Sequence, residues 1–221
     1  MTMPQGRLTD GSGNNNPVTK VVCVGRNYAE HATELNNPVP SHPLVFIKPP
    51  SAVAELETGV TLPERDEPVH YETELALLIG QRLSHASEDD VDDAVIGLGL
   101  ALDLTLRETQ SRLKQEGHPW EIAKAFDGAC PLSAFIPRHQ FPATWRFQFS
   151  LHINGEPCQH GDTAQMLKPI PALVSYMSEH FTLAPGDVVL TGTPAGVGKL
   201  APGDALTLTL EDRLSIETTV S

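Results

Sequence analysis

The chain has 221 residues, 40% hydrophobic and 19% charged, enough apolar material for one large folded domain and too much for wholesale disorder. Its 28 acidic and 15 basic residues give a formal charge of −13, a field that repels nucleic-acid phosphates and anionic membrane surfaces and excludes both as partners. An anionic substrate would need local positive charge, from a bound divalent cation or from a few placed Lys or Arg.

Residues 1–17 are polar and rich in Gly and Asn and read as a flexible arm, with the folded domain spanning 18–221. The arm has no apolar stretch of signal-peptide type. The longest apolar run, 94–102, is far short of the roughly 20 residues of a membrane helix. Cys23, Cys130 and Cys158 show no paired spacing and read as reduced thiols of a cytoplasmic protein. The first strand is 20–24, closed by Gly25. Asn27 stands three residues ahead of Glu30, as in a capping box, so a short helix over 28–35 is expected, stopped at Asn36-Asn37-Pro38. A strand over 44–47 ends at Lys48-Pro49-Pro50, and longer strands are expected over 71–80 and 96–106. Further on, 147–153 alternates and meets the hairpin signal Asn154-Gly155. A helix over Ile170–His180, a strand at Val188–Leu190 and a terminal hairpin of Ala205–Leu210 with 214–220 complete the series. The 19 Pro and 17 Gly, many at element ends, fit a turn-rich, mostly β architecture.

Two strands carry the chemistry. In a strand over 71–80, Glu72 and Glu74 share a face with Ala76 and Leu78, so two carboxylates point the same way at the mouth of a buried strand. Unpaired carboxylates that close repel each other, and burial sharpens the repulsion. On this segment alone, a solvated acidic strand end is the plainer reading. In 96–106 every even position is Ile or Leu, and the odd positions are Gly97, Gly99, Ala101, Asp103 and Thr105. The small face suggests that another backbone packs close to it. A buried Asp103 there needs a partner: an Arg in a structural ion pair, or a cation shared with Glu72 and Glu74. No His or Cys cluster has zinc-like spacing, so an oxygen-ligated Mg²⁺ or Mn²⁺ is favoured over Zn²⁺.

The chain resembles the fumarylacetoacetate hydrolase family in its short, single-domain, acylpyruvase-like branch. The matching stretches are 22–28 (Val-Cys-Val-Gly-Arg26-Asn-Tyr), His31-x-x-Glu34, Phe46-Ile47-Lys48-Pro49, Glu72-x-Glu74-Leu75, Ala101-Leu102-Asp103-Leu104-Thr105 with Arg107 and Gln110, Lys124-Ala125-Phe126-Asp127, 130–133, and Thr191-Gly192-Thr193-Pro194-x-Gly196-Val197-Gly198. One departure is Tyr71, where the family often has a second His; strand parity points it away from Glu72. The resemblance implies an α+β, mostly β fold of stacked, rolled sheets with a few peripheral helices, usually in a homodimer. It implies Mg²⁺ (Mn²⁺ or Ca²⁺ in practice) on Glu72, Glu74 and Asp103, and a small α-keto acid substrate.

It also implies roles for residues with plainer readings of their own. His31 and Glu34, at i, i+3 on a short helix, could be no more than a solvated pair; the resemblance puts them on a lid as the general base. Lys124 could be a snorkelling surface Lys; the resemblance sets it beside the metal, offsetting enolate charge. Arg107 and Gln110 could be helix-surface residues, and Lys48 a strand-end charge; with Arg26 and Thr193 they are candidates for substrate binding. The 191–198 stretch lacks the phosphate-loop spacing. The leading expectation is hydrolysis of a C–C bond in a 2,4-dioxo acid such as an acylpyruvate, a reaction of aromatic catabolism. The alternative is an isomerase, tautomerase or decarboxylase of 2-oxo or 2-hydroxy-diene dicarboxylic acids in the same site. A non-catalytic keto-acid binder is a third reading, disfavoured by the joint presence of His31, Glu34 and Lys124.

Overall fold

The computed structural model describes residues 3–12, 16–34 and 41–221. In chain order its elements are β1 (Val21–Gly25), α1 (Ala29–Glu34), β2 (Leu44–Lys48), β3 (Val53–Glu55), β4 (Val69–Tyr71), β5 (Thr73–Ile79), α2 (Glu88–Ala94), β6 (Val95–Leu102), β7 (Thr105–Leu106), α3 (Arg107–Glu116), α4 (Glu121–Lys124), β8 (Cys130–Leu132), β9 (Ile136–Pro137), β10 (Gln148–Ile153), β11 (Glu156–Asp162), α5 (Ile170–His180), β12 (Val188–Leu190), β13 (Gly198–Lys199), β14 (Ala205–Leu210) and β15 (Leu214–Thr219). The large sheet runs β2-β1-β12-β5-β6-β8-β3, with β9 also paired to β6; β11-β10-β14-β15 and β13-β4-β7 form two smaller sheets. The fold is α+β and mostly β, curled sheets with few helices, as expected.

The centre is the β5–β6 pair. Every residue of β5 is buried, because the strand is apolar on both faces and covered on both. On β6 the small face does meet another backbone. A Cβ on Gly99 would lie 2.8 Å from Ser133 Oγ and 3.1 Å from the Ala134 carbonyl oxygen. Ser133 Oγ cannot retreat freely, since it accepts from Leu100 N at 2.9 Å and donates to Ala134 O at 2.7 Å.

The strand expected over 71–80 is divided. It leaves the large sheet at Glu72 and continues as β4 in the small three-stranded one, while its partner crosses at 103–104 into β7. The register is the same on both sides: Val69 faces Leu106 and His70 faces Thr105, then Thr73 faces Leu102 and Glu74 faces Ala101. Glu72 and Asp103 are therefore opposite each other at the crossing, joined by Asp103 N donating to Glu72 O at 2.8 Å. Opposed residues of an antiparallel pair put their side chains on one face with Cβ atoms roughly 5 Å apart. Glu74, two residues from Glu72, shares that face. Pairing across a switch between sheets is what gathers the three carboxylates.

Several expectations change. Helix α1 is described over Ala29–Glu34, and its expected last residue and stop signal lie outside the described residues. Asn27 is not spent as a cap: its amide donates to Lys168 O and Thr191 O, and its oxygen accepts from Lys168 N. Helices α2 and α4 were not expected; α2 is opened by a Ser87–Asp90 capping box. Rather than standing off the body, the arm's described residues are laid against it: Thr9 N donates to Phe135 O, Phe135 N to Arg7 O, and Val18 N to Pro4 O, at 2.7–2.9 Å.

A Gly99→Ala substitution is expected to cost about 1–3 kcal/mol by overpacking the β6 face. Urea denaturation measures this, and wild-type stability in the variant would mean that the approach of 133–135 to β6 is loose.

Candidate active site

Glu72, Glu74 and Asp103 are each 5% exposed or less, and one carboxylate oxygen from each lies within 4.8 Å of the others. Three cations meet them, Lys124 and Lys48 buried and Arg107 partly buried. Lys124 Nζ donates to Glu72 Oε2 and to Asp103 Oδ2, both at 2.7 Å. Lys48 Nζ stands 2.8 Å from Asp103 Oδ1 and donates to the carbonyls of Ala129 and Lys124. Arg107 pairs with Glu72 and donates to Gln110 Oε1 at 2.8 Å.

The compensation is uneven. Burial alone would push Glu72 up, but Lys124, Arg107 and His31 outweigh it and hold its carboxyl well below the usual range. Burial opposes the charge of Lys124 too, and Asp103 and Glu72 overcome it, raising its pKa. Glu74 pairs with no Lys or Arg among the described residues. Its Oε2 accepts only from Gly192 N, at 2.5 Å. Burial, then the charges of Asp103 and Glu72, push its pKa well above the ordinary value. This donor set fits a hard divalent cation: all oxygen, closely spaced, with one carboxylate that can be charged only if a further cation joins it.

Gly192 is placed for that contact. Its φ is +99°, and a Cβ there would meet Asn27 Cβ at 2.8 Å, so only glycine sits easily against the Asn27 clamp. Above the cluster, His31 is 5% exposed, with Nδ1 3.4 Å from Glu34 Oε2. Glu34 Oε1 accepts from Gly196 N at 3.1 Å, which ties α1 to the 191–198 loop. Burial lowers the His31 pKa despite the opposing charge of Glu72, which favours the neutral imidazole. The space left among these groups is about 30 Å³, room for an ion or a water.

Of the residues singled out from sequence, Arg26, His31, Glu72, Glu74, Asp103, Arg107, Gln110, Lys124 and Thr193 line one cleft. Glu34 reaches it through His31. Arg26 has φ +62°, an uncommon conformation for a side-chain-bearing residue. Lys48 does not line the cleft. It is fully buried and supports Asp103 from behind, so the expectation of substrate contact does not hold for it. The Thr193 hydroxyl has its proton committed to Thr73 O at 2.9 Å and accepts from Gln159 Nε2, so it can offer a substrate no donor. Sequence reasoning missed Phe46, Trp120 and Lys114 on the cleft wall. For Lys114 a signal existed: Arg107, Gln110 and Lys114 fall at i, i+3 and i+7, one helix face.

The fold and this site are those of an enzyme family that handles small acids at a divalent metal. The model of the fumarylacetoacetate (FAA) hydrolase C-terminal domain matches residues 20–221, and the chain belongs to the fumarylacetoacetate hydrolase family. The oxaloacetate tautomerase YcgM of Escherichia coli is 50% identical over 208 residues, covering 94% of this chain and 93% of its own. The mitochondrial oxaloacetate tautomerase FAHD1 of Bos taurus is 41% identical over 89% of each chain. The fumarylpyruvate hydrolase of Pseudomonas aeruginosa, solved with Mn²⁺ and pyruvate, superposes with a TM-score of 0.89 at 34% identity, covering 100% of this chain and 98% of that one. No helix among the described residues is long and apolar enough to cross a membrane.

Two substitutions separate the carboxylates. Asp103→Asn leaves Lys48 and Lys124 short of a buried counter-charge and is expected to destabilise the fold by about 3–5 kcal/mol. Glu74→Gln is expected to leave the cation-free fold at least as stable as wild type while weakening divalent-cation affinity by about 100-fold or more. Because the Glu74 carboxyl holds its proton more tightly folded than unfolded, the cation-free protein loses stability as pH rises through the raised pKa. Cation uptake expels that proton, so affinity should climb with pH by up to about tenfold per unit. Thermal melts and calorimetric Mn²⁺ titrations at several pH values check all three; equal effects of the two substitutions would contradict this division.

Proposed function

We propose that the protein is a tautomerase of oxaloacetate or a closely similar 2-oxo dicarboxylic acid, interconverting its keto and enol forms. The observation that carries this is the meeting of three buried carboxylates with Lys124 in one cleft with His31: a site for stabilising an enolate, with a base beside it. The names of the relatives at 50% and 41% identity support isomerisation over the C–C hydrolysis that the sequence first suggested. Residues 18–221 form the catalytic domain in this reading, the family resemblance implies a homodimer, and the unpaired cysteines suggest a cytoplasmic location.

Tautomerisation moves one proton between C3 and the 2-oxygen and breaks no carbon–carbon bond. A divalent cation held by Glu72, Glu74 and Asp103, Mg²⁺ in the first instance with Mn²⁺ or Ca²⁺ as substitutes, supplies Lewis-acid polarisation of the 2-oxo group. Lys124, which bonds Glu72 and Asp103, adds a fixed positive charge to the site of the developing enolate. His31, oriented by Glu34, takes the proton from C3 and delivers it to the 2-oxygen, and carries it back in the reverse direction. Arg26, Arg107 and Gln110, with backbone N–H groups around Thr193, hold the carboxylate next to the 2-oxo group. Lys48 acts through Asp103 as a positioning residue.

Hydrolysis of a 2,4-dioxo acid is the second reading. The His31–Glu34 pair, which could activate a water, and the fumarylpyruvate hydrolase relative favour it. Glu34→Gln separates the two. In the tautomerase account, Mg²⁺-loaded enzyme accelerates the loss of the enol's ultraviolet absorbance, EDTA abolishes this, and Glu34→Gln keeps activity within about tenfold because Gln still orients His31. Lys124→Met should lower kcat by about 10²–10³-fold. With Mg²⁺ kept saturating at every pH, activity should fall with decreasing pH below 6.5, as the imidazole protonates at its lowered pKa. Rapid acylpyruvate cleavage by the wild type, lost in Glu34→Gln, with no effect on oxaloacetate, would favour hydrolysis.

A further inference from the structure

One cation on the cleft wall has no part in the chemistry above. Lys114 lies on the face of α3 that carries Arg107 and Gln110 and lines the same cleft. Its ammonium sits 5.1 Å from the centroid of the Trp120 ring, and Trp120 packs on Phe46 at 5.9 Å between centroids. Lys48, Arg107 and Lys124 each have a carboxylate partner; among the described residues none pairs with Lys114 within 4.0 Å. It is half-buried, and burial, with the neighbouring charges of Arg26 and Arg107, pushes its pKa down to about 8. A half-buried ammonium crowded by guanidinium groups is an unfavourable arrangement unless an anion joins it.

Helix α3 supplies a ruler. Lys114 stands seven residues from Arg107, ~10 Å along the axis, and both side chains lean back toward the N-terminus, so their charged ends keep about that spacing. A four-carbon diacid spans roughly 4 Å between its end carbons. With one end held among the carboxylates, Arg107 and Lys124, its other end falls within reach of a lysine on the next turns of the same helix.

We propose that Lys114, with Trp120 as its wall, binds the distal carboxylate of the substrate and selects dicarboxylic over monocarboxylic 2-oxo acids. This rests on reading the cleft as a 2-oxo acid site. Oxaloacetate and pyruvate differ only in the distal carboxylate, so their binding to Mn²⁺-loaded protein, measured by calorimetry, isolates the contact. Lys114→Gln is expected to weaken oxaloacetate at least tenfold and leave pyruvate within twofold. Lys114→Arg should restore oxaloacetate binding to within about threefold of wild type. In turnover, Lys114→Gln should raise KM for oxaloacetate and leave kcat nearly unchanged, a split that a purely structural role would not produce. Unchanged oxaloacetate affinity in Lys114→Gln, or an equal loss for both acids, would overturn the assignment. Wild-type protein that binds oxaloacetate without interconverting its tautomers would remove the tautomerase reading, and the ratio of the two affinities would still decide the role of Lys114.

Discussion

Everything in this structure is arranged around three carboxylates buried within a few ångströms of one another. Such a cluster is costly to desolvate, and it persists because the buried Lys124 and Lys48 and the partly buried Arg107 pair with it. The balance is close but not even. Glu72 is over-supplied with positive neighbours and Asp103 is gripped by two lysines, whereas Glu74 has, among the described residues, a single backbone N–H. That residual imbalance is the physical case for a divalent cation. The β4/β5 and β6/β7 crossing, the Gly192 contact and the Asn27 clamp hold the cluster in place.

The balance also answers the question raised by the overall charge of −13. A strongly acidic protein can take a dicarboxylic acid only if its cleft is locally positive. Three cations already match the three carboxylates, so a divalent ion turns the centre net positive, and Arg26 and Lys114 extend the sign change along the wall. Low dielectric around these groups makes each charge count for more than it would at the surface.

How much of this was legible in the sequence depends on the kind of information involved. Strand parity put Glu72 and Glu74 on one face, and the alternation of Gly97, Gly99 and Ala101 with large residues announced a close backbone approach. Parity could not say which strand lies opposite, or that Glu72 and Asp103 face each other where the pair changes sheets; that is a property of register. Lys48 looked like an exposed strand end because its burial comes from Ala129, Lys124 and Asp103, far away in the chain. Asn27 looked like a cap because capping needs only local spacing, and its true partners are at 168 and 191. Helix α2 had its Ser87–Asp90 signal in plain view. Lys114 was readable as helix periodicity, but only after α3 is known to line the cleft.

The account stands or falls on whether the carboxylate cluster takes up a cation. Crystals grown with Mn²⁺ and measured for its anomalous scattering test this directly. The expected result is one strong peak within about 2.1 Å of an oxygen from each of Glu72, Glu74 and Asp103, with Lys124 still within hydrogen-bonding distance of the cluster. An empty cluster at millimolar Mn²⁺, or a peak that leaves out Glu74, would contradict it.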